Sequence, residues 1–334
     1  MLKSKKINIG ISIGDPNGIG IEIILKVLSE SHLHEECNFI IYSSLDLIVK
    51  QQDFFKITTL PLKKIDSLDK IASDHINIKE VFSSSKFEFG KNDKEISANG
   101  IISFKEAVED AKSKKIDILI TAPINKSLSY SSSFKFLGHT DYLKNLFNID
   151  PMMLMVSDNL KLGLLTEHIP LKDVVSEITT KKVIQKIKSL TDTLKNDFLI
   201  KAPKIAILAI NPHVGDNGVI GSDDQNILIP AITDLNKDNN LIFGPFSADT
   251  FFCNENHKQY DGIIAAYHDQ GLIPFKTISF GNGVNYSSGL PIIRTSPDHG
   301  TGFDIAGQGI ASTSSFIQAL KVGLDIYKSR NTID

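Results

Sequence analysis

Short apolar runs that alternate with helix-like segments are the feature that most constrains the fold of this chain. The runs are rich in β-branched residues and have the length of buried strands. Such strands are predicted at residues 7–13, 38–42, 116–120, 204–210 and 262–267. Segments with apolar residues at helical spacing lie between them and predict helices at 21–28, 97–115, 180–195, 223–236 and 312–328. This alternation predicts an α/β protein with a largely parallel sheet.

The other segments give weaker signals. Residues 152–156 and 160–168 flank a Ser-Asp-Asn turn and predict an antiparallel hairpin. Residues 50–96 are rich in Lys, Asp and Ser, which favours loops and minor strands, and residues 244–252 read as a polar connector. A helix is predicted to begin near Gly138, with Thr140 as its N-cap.

Composition excludes several classes of protein. The formal net charge of the 334 residues is −3, so the chain has no basic surface of the kind that nucleic acid requires. Two cysteines, Cys37 and Cys253, form no paired motif, which favours a reducing compartment. The basic N-terminus leads into a first strand rather than a signal peptide, and no apolar stretch is long enough to span a membrane. The expected location is the cytoplasm.

Polar residues and glycines gather after the last apolar run, in residues 267–307. The polar residues there are His268, Asp269, Gln270, Lys276, Asn285, Arg294, Asp298 and His299. In open α/β sheets ligands bind beyond the carboxyl ends of the strands, and glycines allow the backbone to approach a ligand closely. This stretch is therefore the predicted centre of the chemistry.

Three histidines follow apolar segments in the same way. They are His168, His213 and His268, and aspartates lie nearby. The pattern fits a metal site of three histidines with open positions, although a histidine after a strand is more often an ordinary hydrogen-bonding residue. The glycine-rich turn 14–20 also has two interpretations: a tight strand-to-helix turn, which this segment alone favours, or a cradle for an anion.

The motifs taken together resemble the 4-hydroxythreonine-4-phosphate dehydrogenase family of pyridoxal-phosphate biosynthesis. They are GDPNGIG, TAPINK, GHTD, MMLMV, TEHIPL, NPHVGDNGVIG, ADTFF, YHDQGLIPFK and GLPIIRTSPDHGTGFDIAG, in order along nearly the whole chain. The last motif is also similar to the nicotinamide-cofactor loop of isopropylmalate and isocitrate dehydrogenases. The chain departs from the family where Asn17 and Ile21 replace the usual Ala and Pro, and where Asp141 replaces Glu.

The resemblance implies an isocitrate/isopropylmalate dehydrogenase-like fold, with two domains of three α/β/α layers and an active-site cleft between them. The implied domains are a cofactor-side domain, 1–137 plus 290–334, and a domain for metal, substrate and dimerisation, 138–289. It also implies a homodimer whose active sites are shared across the interface. A small phosphorylated amino acid is the implied substrate.

The resemblance also assigns site residues. The metal ligands would be His168, His213 and His268, holding one divalent ion (Zn, Mg or Co). Substrate contacts would come from His139, Thr140, Lys276, Asn285 and Arg294. NAD or NADP would lie against Gly14, Asp15, Gly18, His299, Gly300, Asp304 and Gly307. By residue type, Asp249 and Asp269 are candidates to orient a histidine ligand or to relay a proton, and Lys276 is the third catalytic candidate.

The implied reaction oxidises 4-phosphooxy-L-threonine with NAD(P) and then releases CO₂. Three alternatives remain open at this point. A related dehydrogenase or decarboxylase could act on another phosphorylated hydroxy acid. A metal-dependent hydrolase or decarboxylase would use the same histidines without the HGTGFDIAG loop, and a non-catalytic sugar-phosphate-binding protein would tolerate their loss.

Overall fold

A computed structural model describes residues 6–125, 128, 134–136 and 138–333 of the chain. The strands, in chain order, are β1 Ile7–Ser12, β2 Cys37–Ser43, β3 Leu62–Ile65, β4 Ile76–Glu80, β5 Ile118–Thr121, β6 Met152–Ser157, β7 Leu160–Leu164, β8 Lys204–Leu208, β9 Leu241–Phe246, β10 Gly262–Ala265, β11 Val284–Ser288 and β12 Ile293–Pro297. The α-helices are Gly20–Leu28, Leu45–Phe55, Lys94–Lys112, His139–Phe147, Val174–Glu177, Thr180–Asn196, Ile229–Asn236, Ala248–Phe251, His268–Ser279 and Ser314–Ile333. Contacts divide the chain into two compact units, Met1–Ile149 with Leu290–Leu324 and Asp150–Gly289 with Asp325–Asp334.

The first unit contains a parallel sheet in the order β3-β4-β2-β1-β5-β12. Its central strands are buried on both faces, as β1 and β5 show. The helix Lys94–Lys112 is capped by Asp93, whose carboxylate accepts hydrogen bonds from the first turn, and it packs Phe104 and Val108 into the core of this unit. Parallel pairing places the ends of β1 and β5, and with them the segments that follow, at one edge of the sheet.

The second unit contains a mixed sheet in the order β11-β6-β7-β10-β8-β9. Strand β6 runs antiparallel to β7 and β11, whereas β7, β10, β8 and β9 are parallel to one another. Its core contains Leu162, Ile263 and Phe275. The α/β class, the largely parallel sheet and the predicted hairpin are confirmed.

Several predicted segments differ from the structure. Residues 50–96 were expected to hold loops and minor strands, but the first six of them form the second half of the helix Leu45–Phe55. The signal for that helix is its cap, Ser44, which lies before residue 50. The polar connector at 244–252 contains the end of β9 and the short helix Ala248–Phe251. Strand β9 was missed because its burial does not alternate and its sequence includes Gly244 and Pro245.

The predicted N-cap at Thr140 is wrong. The helix begins at His139, so Thr140 lies inside its first turn, and Gly138 occupies the cap position without a side-chain hydrogen bond. No helix in the described part of the chain is both long and apolar enough to cross a bilayer.

Candidate active site

Two of the predicted metal ligands lie side by side in the second unit. Strands β7 and β10 are parallel neighbours, and the chain stays paired beyond them because the backbone N–H and the hydroxyl of Thr166 both donate to the carbonyl of Ala266. His168 and His268 follow these paired ends. Their ring centroids are 5.5 Å apart. The parallel register therefore brings together two imidazoles that are 100 residues apart in the sequence.

The end of β10 is fixed by Gln270, which lies in the predicted centre of the chemistry but had no role assigned from the sequence. Its side-chain oxygen accepts a hydrogen bond from the backbone N–H of Ala266 at 2.7 Å, and its Nε2 donates to the carbonyl of Ala209 at 2.8 Å. His268, the first residue of the helix that follows, has its Nδ1 atom 2.7 Å from Oδ1 of Asp269. Asp269 can therefore orient the imidazole, which leaves Nε2 to bind a ligand.

His213 lies in a strained turn after β8. The backbone φ angles of His213 and Val214 are 51° and 58°, in the left-handed region that β-branched residues rarely adopt. The turn is held because both oxygens of Asp224 accept backbone hydrogen bonds, from Ile210 and Asn211. Strain of this kind is often found at functional sites.

Asp249 lies close enough to His213 for their charges to interact. The pKa of the Asp249 carboxyl is lowered, mainly because the Ser247 hydroxyl donates to it at 2.7 Å and further because of the charge on His213. This carboxylate is therefore ionised at neutral pH and can orient the His213 ring. Among the described residues, no three His, Cys, Asp or Glu side chains are grouped closely enough to hold a metal ion. The assignment of His168, His213 and His268 as metal ligands stays a prediction.

Lys276 and Asn285 also belong to the second unit. Lys276 lies in the last turn of the helix His268–Ser279 and is exposed. Asn285 lies on β11 opposite Met155 of β6. The side-chain oxygen of Asn285 is buried, and no hydrogen bond to it is found in the part of the chain that the structure describes. A buried acceptor in this state suits a ligand that brings a donor.

Arg294 is the central polar residue of the first unit. It lies on β12 and is only 2% exposed, and its Nη2 donates to the hydroxyl of Thr121 at 2.6 Å and lies 3.1 Å from Nδ1 of His139. Burial lowers the pKa of its guanidinium to about 9. Thr121, which ends β5 and is fully buried, was not identified from the sequence, although its place at a strand end is the signal that could have found it. A buried guanidinium in this setting suits an anionic ligand.

The glycine-rich turn 14–20 is tightly packed. A side chain at Gly14 would collide with the carbonyl of Pro123, and one at Gly18 would lie 2.6 Å from the carbonyl of Thr301. The Asp15 carboxylate is buried and accepts hydrogen bonds from Ser97 and from the backbone of Asn17, and burial raises its pKa. These glycines thus have a packing role, and Asp15 has structural partners of its own. Their predicted contact with a cofactor stays a prediction.

The second predicted cofactor segment, 299–307, lies against this turn. The backbone N–H of Ile19 donates to the carbonyl of Thr301 at 3.0 Å. A side chain at Gly300 would meet no atom within 4 Å, so this glycine borders open space, whereas one at Gly307 would lie 2.7 Å from Phe89. Asp304 is exposed, and its carbonyl accepts from Gln308. The two segments predicted to bind the dinucleotide are therefore neighbours, with space beside Gly300.

A buried ion pair fixes the far end of this loop. Glu22 is fully buried, and one of its oxygens accepts from Lys26 at 2.7 Å and from the backbone of Ala311 at 2.9 Å. Lys26 also donates to the carbonyls of Gly309 and Ala311. Neither residue was identified from the sequence, although a Glu and a Lys four residues apart in an apolar helix are a recognisable signal. Lys126, at the end of the TAPINK motif, lies outside the described residues.

Comparison with solved structures defines the class of the fold. The fold resembles that of isocitrate dehydrogenase from Methylococcus capsulatus, with a TM-score of 0.51 and 12% identity over 97% of this chain and 87% of that one. A crystal structure of a 4-hydroxythreonine-4-phosphate dehydrogenase from Burkholderia phymatum is more similar. It gives a TM-score of 0.78 and 31% identity over 97% of this chain and 99% of that one. The molecule is an α/β enzyme of the isocitrate dehydrogenase-like fold.

Sequence similarity extends over nearly the whole chain. Residues 35–323 match the family described as pyridoxal phosphate biosynthetic protein PdxA. The 4-hydroxythreonine-4-phosphate dehydrogenase of Sulfurihydrogenibium sp. is 41% identical over 325 residues, which cover 97% of this chain and 99% of the relative. The chain belongs to the PdxA family, as the sequence motifs predicted.

Proposed function

We propose that the chain oxidises the 3-hydroxyl of 4-phosphooxy-L-threonine with NAD or NADP in pyridoxal 5′-phosphate biosynthesis. The product, 2-amino-3-oxo-4-phosphooxybutanoate, then loses CO₂ to give 3-amino-2-oxopropyl phosphate. The names and full-length similarity of the relatives support this substrate. The observation that carries the proposal is the buried Arg294 beside Thr121 and His139, because it provides a fixed cation for an anionic substrate.

The predicted site residues have distinct roles in substrate binding and catalysis. The guanidinium of Arg294 binds the phosphate, and the imidazole of His139 beside it donates a further hydrogen bond, with Thr140 in the same helical turn. Asn285 offers its amide to a polar substrate group, and Lys276 binds an anionic group and acts in proton transfer. Asp249 and Asp269 orient His213 and His268 and hold the proton on the ring nitrogen that faces the carboxylate, so that the other ring nitrogen can bind a ligand.

The donor set fits a divalent metal ion. Neighbouring imidazoles with carboxylates behind them are typical of metal sites, and imidazole suits Zn or Co better than Mg. A bound cation of this kind would lower the pKa of the substrate hydroxyl and polarise the ketone that forms. The space beside Gly300 likewise fits a dinucleotide that passes close to the backbone.

The exposed apolar residues of the second unit support a homodimer. Leu171, Val219, Ile273 and Phe280 are 70%, 83%, 66% and 85% exposed. Each follows a predicted metal ligand by 3 to 12 residues: Leu171 follows His168, Val219 follows His213, and the other two follow His268. Large exposed apolar side chains mark surfaces that another molecule covers. In a symmetric dimer a partner that covers these residues would also bring its own histidines to this surface, which supports a metal site shared by the two subunits.

The test is turnover by the protein after metal removal with a chelator. It is incubated with 4-phosphooxy-L-threonine, NAD or NADP, and Zn, Co or Mg, and both reduced nucleotide and CO₂ are measured. We expect equal amounts of the two products, and only with a metal added back. His75 offers a matched control for His268, since its Nδ1 also lies 2.7 Å from the carboxylate of the adjacent residue, Asp74. His75→Ala should keep the metal response and His268→Ala should lose it.

Absence of reduced nucleotide with this substrate would contradict the proposal. Turnover of another phosphorylated hydroxy acid in its place would assign the related dehydrogenase activity.

A further inference from the structure

The first unit contains a cavity whose lining includes none of the predicted site residues. Its volume is about 630 Å³, which is in the range of small-molecule sites. It lies at the start of the helix Lys94–Lys112 and is lined by Lys50, Lys86, Phe87, Glu88, Asp93 and Asn99, among others. The lining thus combines an aromatic ring, an amide and charged groups, which is the combination expected at a site for a polar aromatic ligand.

Asn99 is the most informative residue of this lining. It is only 8% exposed, and no hydrogen bond to its side chain is formed by any residue described. Although the residue is largely buried, the polar atoms of its amide are not enclosed, so they can bond to water or to a ligand. Because Asn99 lines the cavity, its amide is available to a molecule there.

Two lysines and three acids line the cavity, and two of the acids already have partners in the protein, which leaves the lysines available to an anion. Glu88 is paired with Lys91, and Asp93 caps the helix by accepting from the backbone N–H groups of Glu95 and Ile96. Lys50, in contrast, donates to the neutral hydroxyl of Ser85 at 2.7 Å.

Lys86 adds a second cation, and the N-terminus of a 19-residue helix adds a positive dipole end. The exposed Glu95 is the remaining acid.

The cavity wall is joined to both predicted cofactor segments. Asn17 is fully buried, its side-chain oxygen accepts from the backbone of Glu88 at 2.7 Å, and its Nδ2 donates to the carbonyl of Lys91 at 2.8 Å. Phe89 packs where a side chain at Gly307 would lie. The loop that forms one side of the cavity is therefore fixed to the turn 14–20 and to the segment 299–307.

We propose that this cavity binds one nucleotide half of the dinucleotide. The amide of Asn99 binds the polar edge of the ring system, Phe87 covers a face of the ring, and Lys50 and Lys86 bind a phosphate. Both halves of NAD(P), adenosine phosphate and nicotinamide ribose phosphate, have this chemistry. The assignment rests on the proposed use of NAD(P), and it adds residues that neither cofactor segment contains.

Calorimetric titration of the full chain with 5′-AMP, nicotinamide mononucleotide or inorganic phosphate tests the proposal. We expect one mononucleotide to bind, and at least about tenfold weaker binding to Asn99→Ala. Asn92→Ala, which removes an exposed amide just before the same helix, should bind as the parent does. Lys50→Ala should weaken binding of the same mononucleotide several-fold. Lys94→Ala, which removes an exposed charge from the start of the helix, should leave that binding unchanged. Which mononucleotide binds identifies the half.

Three results would overturn the proposal: no mononucleotide binding, binding of inorganic phosphate as tight as that of either mononucleotide, or unchanged binding in both Asn99→Ala and Lys50→Ala. If a melting curve shows that Asn99→Ala is unfolded, the exposed Lys50→Ala decides the question alone. Turnover with NAD(P) is measured separately. Turnover without mononucleotide binding at this cavity would contradict the subsite but not the proposed function. Mononucleotide binding at this cavity without turnover would contradict the proposed function but not the subsite.

Discussion

Nη2 of Arg294 lies 3.1 Å from Nδ1 of His139. A guanidinium can only donate, so Nδ1 must accept, and the neutral imidazole carries its proton on Nε2. The pair therefore presents one cation and one neutral N–H donor. Two donors of different charge in one buried place are suited to a phosphate ester.

Replacing the guanidinium should reduce substrate affinity more than it reduces turnover. In Arg294→Lys the ammonium cannot reproduce the planar contacts to Thr121 and His139, so we expect binding of 4-phosphooxy-L-threonine to weaken by about 2–5 kcal/mol. Steady-state KM and direct titration measure the change. Unphosphorylated hydroxythreonine is the comparison, and equal losses for both compounds would show that Arg294 does not bind the phosphate.

Substrate capture should also depend on pH through this group. The protonated guanidinium is the form that binds an anion, and burial lowers its pKa from the ordinary value of an arginine to about 9. We therefore expect kcat/KM for the phosphorylated substrate to fall as pH rises through about 9, because this ratio reports the free enzyme. Below that pH the cation is fully present. A kcat/KM that stays level to pH 10 would place the binding cation elsewhere.

Mixing inactive variants should show which histidines share a chain. Because His168 and His268 are neighbours in one chain, His213 is the ligand that we expect from the partner. Random subunit exchange between His213→Ala and His268→Ala should restore about a quarter of the parent activity, since half of the dimers are mixed and each of these has one intact site. Mixing His168→Ala with His268→Ala should restore nothing. If no mixture recovers activity after exchange is verified by mass, all ligands of a site come from one chain.

Two glycines of the predicted cofactor segment should respond differently to the same substitution. Gly300 borders open space, so Gly300→Val should keep the parent Tm and raise KM for NAD(P), leaving metal affinity unchanged. Gly307 has a φ of 80° and contacts Phe89, so Gly307→Val should lower Tm because the backbone and the ring must both shift. Cofactor KM and thermal melting are measured together. An unchanged KM in Gly300→Val would remove this segment from the cofactor site.

Local signals in the sequence predicted much of the fold. Strand β10 and the hairpin of β6 and β7 are continuous apolar runs with clear ends, so their positions follow from the residues alone. Strand β9 has no such signal, since only Ile242 on it is buried and Pro245 interrupts it. Its place in the sheet depends on pairing with β8, which is a tertiary contact.

Proximity within the site could not be derived from spacing. His139 and Arg294 are 155 residues apart and meet only because β12 pairs with β5, whose last residue, Thr121, Arg294 also contacts. The resemblance to a family named Arg294 and His139 without showing this contact. The Asp224 carboxylate that fixes the turn at His213 was not anticipated either, because a buried acid within a helix-like segment looks like any solvated charge in the sequence.

Asn17, which stands where the family resemblance implies alanine, binds the loop at Glu88 and Lys91 through its side chain. Alanine has no polar atoms to replace these bonds, so a relative must fix the corresponding loop by other means. The two segments are thus expected to change together during evolution. A transplant of the turn 14–20 into a relative should therefore include residues 86–93, since either segment alone would lack the hydrogen bonds that Asn17 makes between them.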